Sequence, residues 1–409
     1  MSQKERQRLR VLEKVKEGRL SLVKAAELLG VSKRQVIRLK QRYAGEGAAG
    51  LVHKGRGQPP PNRISETVRG QVVALSKKQY ARFNDVHFTE KLQENEGIAI
   101  SRASVQRIRR AEGIKPKRKR RPKQHHGRRP RKANKGAMIL WDGSPHHWFG
   151  EERPPCCMMG AVDDADGEFL WSRFYPSETS VGYMEMLDGI ARNYGLPASV
   201  YGDRHSALWR NDDHWSLEEQ LRGEQSPTQV GMALRDLGIQ SIAAGSPQAK
   251  GRIERLFGVL QDRLVAEMDL AGIKDMEAAN AWLPEYRPVY NRRFAKEPAE
   301  AQSLFRRPTG VDLETICAFR YEATVGNDNA VRLGGLIIDI PPGPGGRGYA
   351  KAKVEVRQLL EGSWRVFYRG GVIAEHEATE VRDPQRRRRG KKAKAASHWT
   401  DVYLDSRPG

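Results

Sequence analysis

Apolar positions along this chain fall in three successive rhythms. Up to about residue 113 they recur at helical spacing. Leu9, Leu12 and Val15 predict a helix over residues 6–17, and a second begins at Ser21 with Val23, Ala26 and Leu29 inward. Gly30 permits a turn, Ser32 caps a third helix over 33–43, and Val36, Ile37 and Leu39 supply its docking side. After a Gly-, Ala- and Pro-rich stretch at 44–62, helices are expected near 66–78, 88–94 and 101–111, the last capped by Ser101 with Val105 and Ile108 inward. From about residue 137 short apolar runs predict strands at 138–141, 199–201 and 239–242 and a hairpin over 158–175. Among these lie a helix over 180–194, an amphipathic segment at 228–237 and a helix carrying Glu254. Beyond residue 313, runs at 317–325, 330–333, 336–340, 354–360, 364–368 and 372–375, parted by glycines, predict a small β-barrel.

Length turns this pattern into a domain plan, because 409 residues exceed one hydrophobic core. The expected fold class is multidomain α/β. A helix-turn-helix domain (1–50) and a linker (51–64) precede a second helical domain (65–114) and a basic linker (115–136). An α/β core (137–300), the β-barrel (313–380) and a basic tail (382–409) complete the plan. The polar start and the lack of an apolar run near membrane-spanning length point to a cytoplasmic protein with no membrane partner. Three cysteines, two of them adjacent, make no disulfide framework and fit a reducing compartment.

Charge is unevenly spread. The chain carries a net +22, yet residues 1–135 hold 37 Lys and Arg against 11 Asp and Glu, so everything after them is net acidic. A basic arm on an acidic core implies a polyanion held by the arm, since Lys and Arg contacts to phosphates release counterions. Double-stranded DNA is the expected partner. In LVKAAELLGVSKRQVIRLKQRY, small alanines, a glycine turn, a serine cap and a basic third helix form a helix-turn-helix signature, with Lys33, Arg34, Gln35 and Arg38 toward the major groove. Lys54 and Arg56 either follow a minor groove or belong to a plain linker. The helix over 101–111 repeats this logic, leaving Arg102, Gln106, Arg107, Arg109 and Arg110 available for DNA. Residues 115–135 contain twelve Lys and Arg and are expected to have no fold of their own without DNA, and the 382–409 tail is either a nonspecific DNA contact or a solubilising extension.

The chemistry lies in three acids. Asp142 in AMILWDGS and Asp203 in ASVYGDRHS close predicted strands, and Glu254 in SPQAKGRIERLFGVLQDRL lies on a helix. This order suits a ribonuclease-H-like sheet that gathers carboxylates at its strand ends, where they can hold two Mg2+ or Mn2+ ions for phosphoryl transfer. Lys250 shares a helix face with Glu254 and either holds a DNA phosphate or makes a surface ion pair; Gln261, two turns beyond Glu254, is a further DNA-contact candidate. His205 and Ser206 stand where they could orient a phosphate or water, with capping the alternative for Ser206. His146, His147, Cys156 and Cys157 invite zinc, but adjacent like ligands rarely converge on one tetrahedral ion.

WDGSPHHWF, YGDRHS and SPQAKGRIERLFGVLQDRL resemble the three catalytic blocks of DDE transposases with a retroviral-integrase-type core, closest to bacterial insertion sequences of the ISNCY and neighbouring groups. The likeness spans about residues 5–375. It implies an RNase H-like catalytic core, with Asp142, Asp203 and Glu254 as catalytic residues and metal ligands, and an SH3-like terminal barrel. It further implies tandem readers of the terminal inverted repeats, end cleavage followed by strand transfer, and a synaptic complex of at least two copies at the nucleoid. Fifty residues separate Asp203 from Glu254, more than in the best-known members, and the surplus is placed at 210–225 as a surface elaboration. A DNA-binding regulator descended from a transposase and an RNase H-like nuclease without strand transfer are the rival readings.

Overall fold

The computed structural model describes residues 1–53, 55–57, 63–117, 129–210, 215–244 and 251–381. They form two compact units, divided between Ala74 and Leu75. In the first, α1 (Gln3–Lys16), α2 (Leu22–Leu29) and α3 (Lys33–Glu46) pack around Leu12, Ala25, Val36, Leu39 and Leu51. Ser2, Ser21 and Ser32 cap the three helices, and Gly30 closes α2 at φ 62°, a left-handed conformation that favours glycine. Val23 does not face inward as expected: it is 53% exposed, because α2 starts at Leu22 and its buried stripe runs through Leu22, Ala25, Ala26 and Leu29. Ile37, 38% exposed, likewise falls beside the stripe through Val36 and Leu39. The buried Glu5 accepts the His53 N–H at 3.3 Å and pairs with Arg56 at 3.0 Å, strapping the segment after α3 to α1. The next helix, α4 (Glu66–Lys77), runs across the division between the units.

The second unit opens with α5 (Asp85–Glu94) and α6 (Arg102–Ala111), which bury Phe88, Leu92, Val105 and Ile108. Its sheet comprises β1 (Ile139–His146), β2 (Cys156–Asp163), β3 (Phe169–Tyr175), β4 (Ser199–Gly202) and β5 (Gln240–Ala243), in the order β3-β2-β1-β4-β5. β1, β2 and β3 are antiparallel; β4 and β5 run parallel to β1. This is the ribonuclease-H-like arrangement expected. Both faces of β1 are covered, so its side chains alternate between two cores: Ile139 and Trp141 join the one with α7 (Ser180–Asn193) and α9 (Gln229–Asp236), after the short α8 (Leu217–Arg222). Leu140, with Met138 just before the strand, joins the other, with α10 (Gly251–Leu270) and α11 (Met276–Phe294).

α11 contains Pro284 and Pro288 yet continues through both. Its buried Leu283, Tyr286 and Tyr290 pack on the sheet, and two asparagines replace the partner that the outer strand β3 lacks. Asn280 accepts the Phe174 N–H at 2.7 Å and donates to the Phe174 carbonyl at 3.1 Å; Asn291 does the same for Phe169 at 2.8 and 3.1 Å.

A short α12 (Leu313–Ile316) leads into β6 (Phe319–Thr324), β7 (Ala330–Leu333), β8 (Leu336–Asp339), β9 (Lys353–Gln358), β10 (Trp364–Tyr368) and β11 (Gly371–His376). The antiparallel sheet β11-β10-β9-β6 and the β7-β8 ribbon enclose one core of Val325, Val331, Ile338, Val356, Trp364 and Val366, giving the small terminal β domain expected. Among the described residues no helix is long and apolar enough to cross a membrane.

Candidate metal centre and nucleic-acid faces

Register brings two of the three expected acids together. Leu140 of β1 lies beside Tyr201 of the parallel β4, and each is followed two residues on by an aspartate, so Asp142, within β1 just past its pairing with β4, stands level with Asp203, just after the end of β4. The Gly143 N–H donates to Asp142 Oδ1 at 3.1 Å and the His205 N–H to Asp203 Oδ1 at 3.0 Å. The third acid beside them is Glu178, from the link between β3 and α7. Asp142, Glu178 and Asp203, all half-buried, each offer an oxygen within 4.8 Å of the others. Converging carboxylate oxygens are the donor set of a hard divalent cation such as Mg2+.

Glu178 is held from two sides. The Tyr183 hydroxyl donates to its Oε1 at 2.5 Å, and His205 Nδ1 lies 3.7 Å from the same oxygen. Its Oε2 lies over Gly143, where a Cβ would come within 2.6 Å of it. Burial, reinforced by Glu178, Asp142 and Asp203, pushes the Tyr183 hydroxyl well above its ordinary pKa, so it remains a donor. Burial raises Cys157 to about 12 and Cys156 to about 11, leaving both as neutral core thiols. Sequence reasoning missed Glu178 because an acid just before a helix cap reads as ordinary; the small Gly143 after Asp142 was the available signal.

Glu254 is exposed on α10 and stands outside this three-carboxylate group. Two polar contacts fasten the helix that carries it near the sheet. Arg252 pairs with the fully buried Asp164 and donates to the Arg129 carbonyl at 2.8 Å. Gln261 donates to Ser144 Oγ at 3.2 Å, so the side chain expected to reach DNA is turned onto β1. Lys250 lies outside the described residues.

The basic linker is also partly recast. Asp164 gathers Arg129 at 2.5 Å and the Lys132 N–H at 2.7 Å, Arg131 donates to the Ala165 carbonyl at 3.0 Å, and Lys135 pairs with Glu168. Residues 129–135 therefore have a folded place on the β2–β3 hairpin without DNA, because its acids neutralise them.

On α3, Lys33, Arg34 and Arg38 are exposed and Gln35 half-buried. Arg56 pairs with Glu5, and Lys54 lies outside the described residues. On α6, Arg102 and Arg107 are exposed and Gln106 half-buried, but Arg110 pairs with Asp85 at 2.6 Å. Arg109, expected to be available for DNA, is buried. It binds Asp85 at 2.8 Å and the Phe83 carbonyl at 3.1 Å, because it lies one helical turn after the buried Val105. This helical module is docked on α10: His87 and Lys91 meet Glu267 at 2.6 and 2.8 Å, Glu90 meets Arg263 at 2.6 Å, and Arg82 meets Asp269 at 2.7 Å.

Residues 8–69 match the winged helix-turn-helix family model. The chain is similar to the Sinorhizobium fredii protein named "Putative transposase y4bF", 39% identical over 306 residues that cover 75% of this chain and 65% of that one. It is also similar to "Transposase for insertion sequence IS1202" of Streptococcus pneumoniae, 30% identical over 321 residues that cover 70% of this chain and 68% of that protein. The chain thus spans about two thirds of the length of these curated relatives. Among solved structures, a simian T-cell lymphotropic virus intasome complex shares 15% identity at a TM-score of 0.32, covering 76% of this chain and 100% of that one. The HTLV-2 integrase catalytic core with magnesium shares 15% at 0.21, covering 34% and 84%. Both scores are too low for the likeness to bear on the geometry.

Proposed function

The chain belongs to the insertion-sequence transposases, and from that premise we propose that it binds the terminal inverted repeats of its own element, cuts DNA at those ends and joins them to target DNA. The observation that carries this reading is the level placement of Asp142, within β1, and Asp203, just after the neighbouring β4. Asp142, Asp203 and Glu254 would hold two divalent ions, Mg2+ or Mn2+. When bound, such ions stabilise charge on the attacking and leaving oxygens of an in-line displacement at phosphorus.

The chain's own residues supply position. Asp142 is fixed by the β1–β2 ladder, and Asp203 by the end of β4 and the His205 N–H. Arg252 and Gln261 hold the helix of Glu254 against the sheet, which sets where that carboxylate can reach. Lys33, Arg34, Gln35 and Arg38 of α3 read one stretch of the element's end and Arg102, Gln106 and Arg107 of α6 another. Arg56 and Arg110, both ion-paired, would contribute at the margins, and Lys54 and Lys250 are assigned to DNA on sequence alone. Pairing of two ends requires at least two copies of the chain.

The test is a strand-transfer assay in Mg2+ on labelled DNA carrying the gene's flanking ends, comparing wild type, Asp142→Asn and Glu254→Gln, with binding measured alongside. Joined products from wild type alone, at equal binding by all three, are expected. Equal binding without cleavage by wild type would make the protein a DNA-binding regulator, and cleavage without joining would make it a nuclease.

A further inference from the structure

We infer that Glu178 is a built-in ligand of the metal centre, preset by Tyr183 and accommodated by Gly143, so that three carboxylates are ready for a divalent cation before Glu254 contributes. The inference rests on the reading of Asp142 and Asp203 as metal ligands.

The argument starts from the backbone. Thr179 caps α7 by accepting the Gly182 N–H at 3.1 Å, which fixes the link that carries Glu178. One turn into α7, the buried Tyr183 ring packs edge-on against Trp141 of β1 at 5.3 Å and aims its hydroxyl at Glu178 Oε1. Trp141 immediately precedes Asp142, so the same contact ties α7 to the strand that delivers the first aspartate. His205, two residues past Asp203, approaches Oε1 as well. Both holding contacts fall on Oε1.

Oε2 occupies the space over Gly143. A side chain at 143 would meet Oε2 at 2.6 Å and Cys157 Sγ at 2.9 Å, so glycine is what lets a carboxylate lie across β1 beside Asp142. The result is a third acid oxygen within 4.8 Å of the two aspartates in a half-buried recess. Packing alone does not call for an acid there: glutamine has the same shape and could still accept the Tyr183 hydroxyl. Like charges this close raise one another's energy, and a divalent cation relieves that repulsion. Glu254, exposed on α10, is then a ligand that joins a site already formed.

The deciding experiment titrates Mn2+ into the full-length protein without DNA and follows the free-ion signal by electron paramagnetic resonance, with thermal melting as a fold control. Glu178→Gln is expected to weaken Mn2+ binding by at least about tenfold with its melting temperature in the absence of metal unchanged or raised. Glu254→Gln should weaken binding less, and Asp142→Asn should remove it. Wild-type affinity in Glu178→Gln, with binding lost in Asp142→Asn, would overturn the role of Glu178 and leave the aspartate site standing. Wild-type affinity in Asp142→Asn would overturn both. Should Glu178→Gln not fold, Tyr183→Phe decides: a severalfold loss of Mn2+ affinity is expected, and unchanged affinity counts against the preset ligand.

Discussion

His87 Nε2 lies 2.6 Å from Glu267 Oε1, joining α5 to α10 through a contact in which both residues are buried. His87 Nδ1 is buried too and has no hydrogen-bond partner among the described residues, so a proton placed there would have nothing to bind. Burial accordingly holds the imidazole below its usual 6.5, against the pull of Glu267. Burial raises Glu267, but bonds from His87 and Lys91 outweigh it and leave the carboxyl below 4.5.

The sign of the pH dependence follows. The unfolded chain takes up a proton at His87 before the folded one does, so folding stability should begin to fall as pH drops through 6.5 and continue to fall until the lowered folded value is passed. Thermal melts across that window should show the decline, and His87→Gln should flatten it. An unchanged slope in the variant would place the sensitivity elsewhere.

Asp164 supports a second expectation. It is fully buried and shared by Arg129, Arg252 and the Lys132 N–H. Asp164→Ala leaves two guanidinium groups facing an apolar hole, and with the arginines partly exposed the loss should be about 2–3 kcal/mol by urea unfolding. Because Arg252 also anchors the start of α10, strand transfer should fall further than this stability loss explains, at a temperature where the variant remains folded. Activity that tracks only the folded fraction would separate the anchor from the chemistry.

Two neighbouring arginines on α6 should behave oppositely. Arg107 is exposed, and Arg107→Ala should weaken binding to end DNA and lower the slope of log affinity against log salt by about one. Arg109 is interior, paired with Asp85 and lying 5.3 Å from the centre of the Phe88 ring. Arg109→Ala should therefore cost about 2–4 kcal/mol of stability with the salt slope preserved. Filter binding at several salt concentrations together with melting curves checks both.

Much of this arrangement was legible in the chain because the strands are short and bounded. The run ending at Trp141 opens β1, which continues through Asp142 to His146 because β2 pairs with it along that length, and the run ending at Tyr201 lies in β4, with Asp203 just after that strand. What escaped depends on contacts between distant segments. Glu178 joins the acids only because Gly143 leaves a gap above β1, and Gln261 turns inward because Ser144 lies beneath it. The stretch with Pro284 and Pro288 carries two residues that disfavour a helix interior, yet it is helical because Tyr286 and Tyr290 are buried on the sheet and Asn280 and Asn291 bind β3. Arg109 was misplaced for a more local reason, since its spacing of four from Val105 already put it on the inner side of the helix.

Gln261 offers the sharpest discrimination between touching DNA and positioning the helix. Its amide crosses from α10 to Ser144, two residues past Asp142, so it links the helix of Glu254 to the strand of the first aspartate. A neutral hydrogen bond of this kind contributes about 1 kcal/mol to stability, and its loss should barely change melting. Its geometric effect is larger, because a small displacement of a catalytic group can cost a large factor in rate. Gln261→Ala is therefore expected to keep end-DNA affinity within about twofold and to lower strand transfer about tenfold. Ser144→Ala should do the same, and the double variant should add little further loss, since both remove one bond. A drop in DNA affinity for Gln261→Ala but not for Ser144→Ala would restore Gln261 to the DNA-contacting surface.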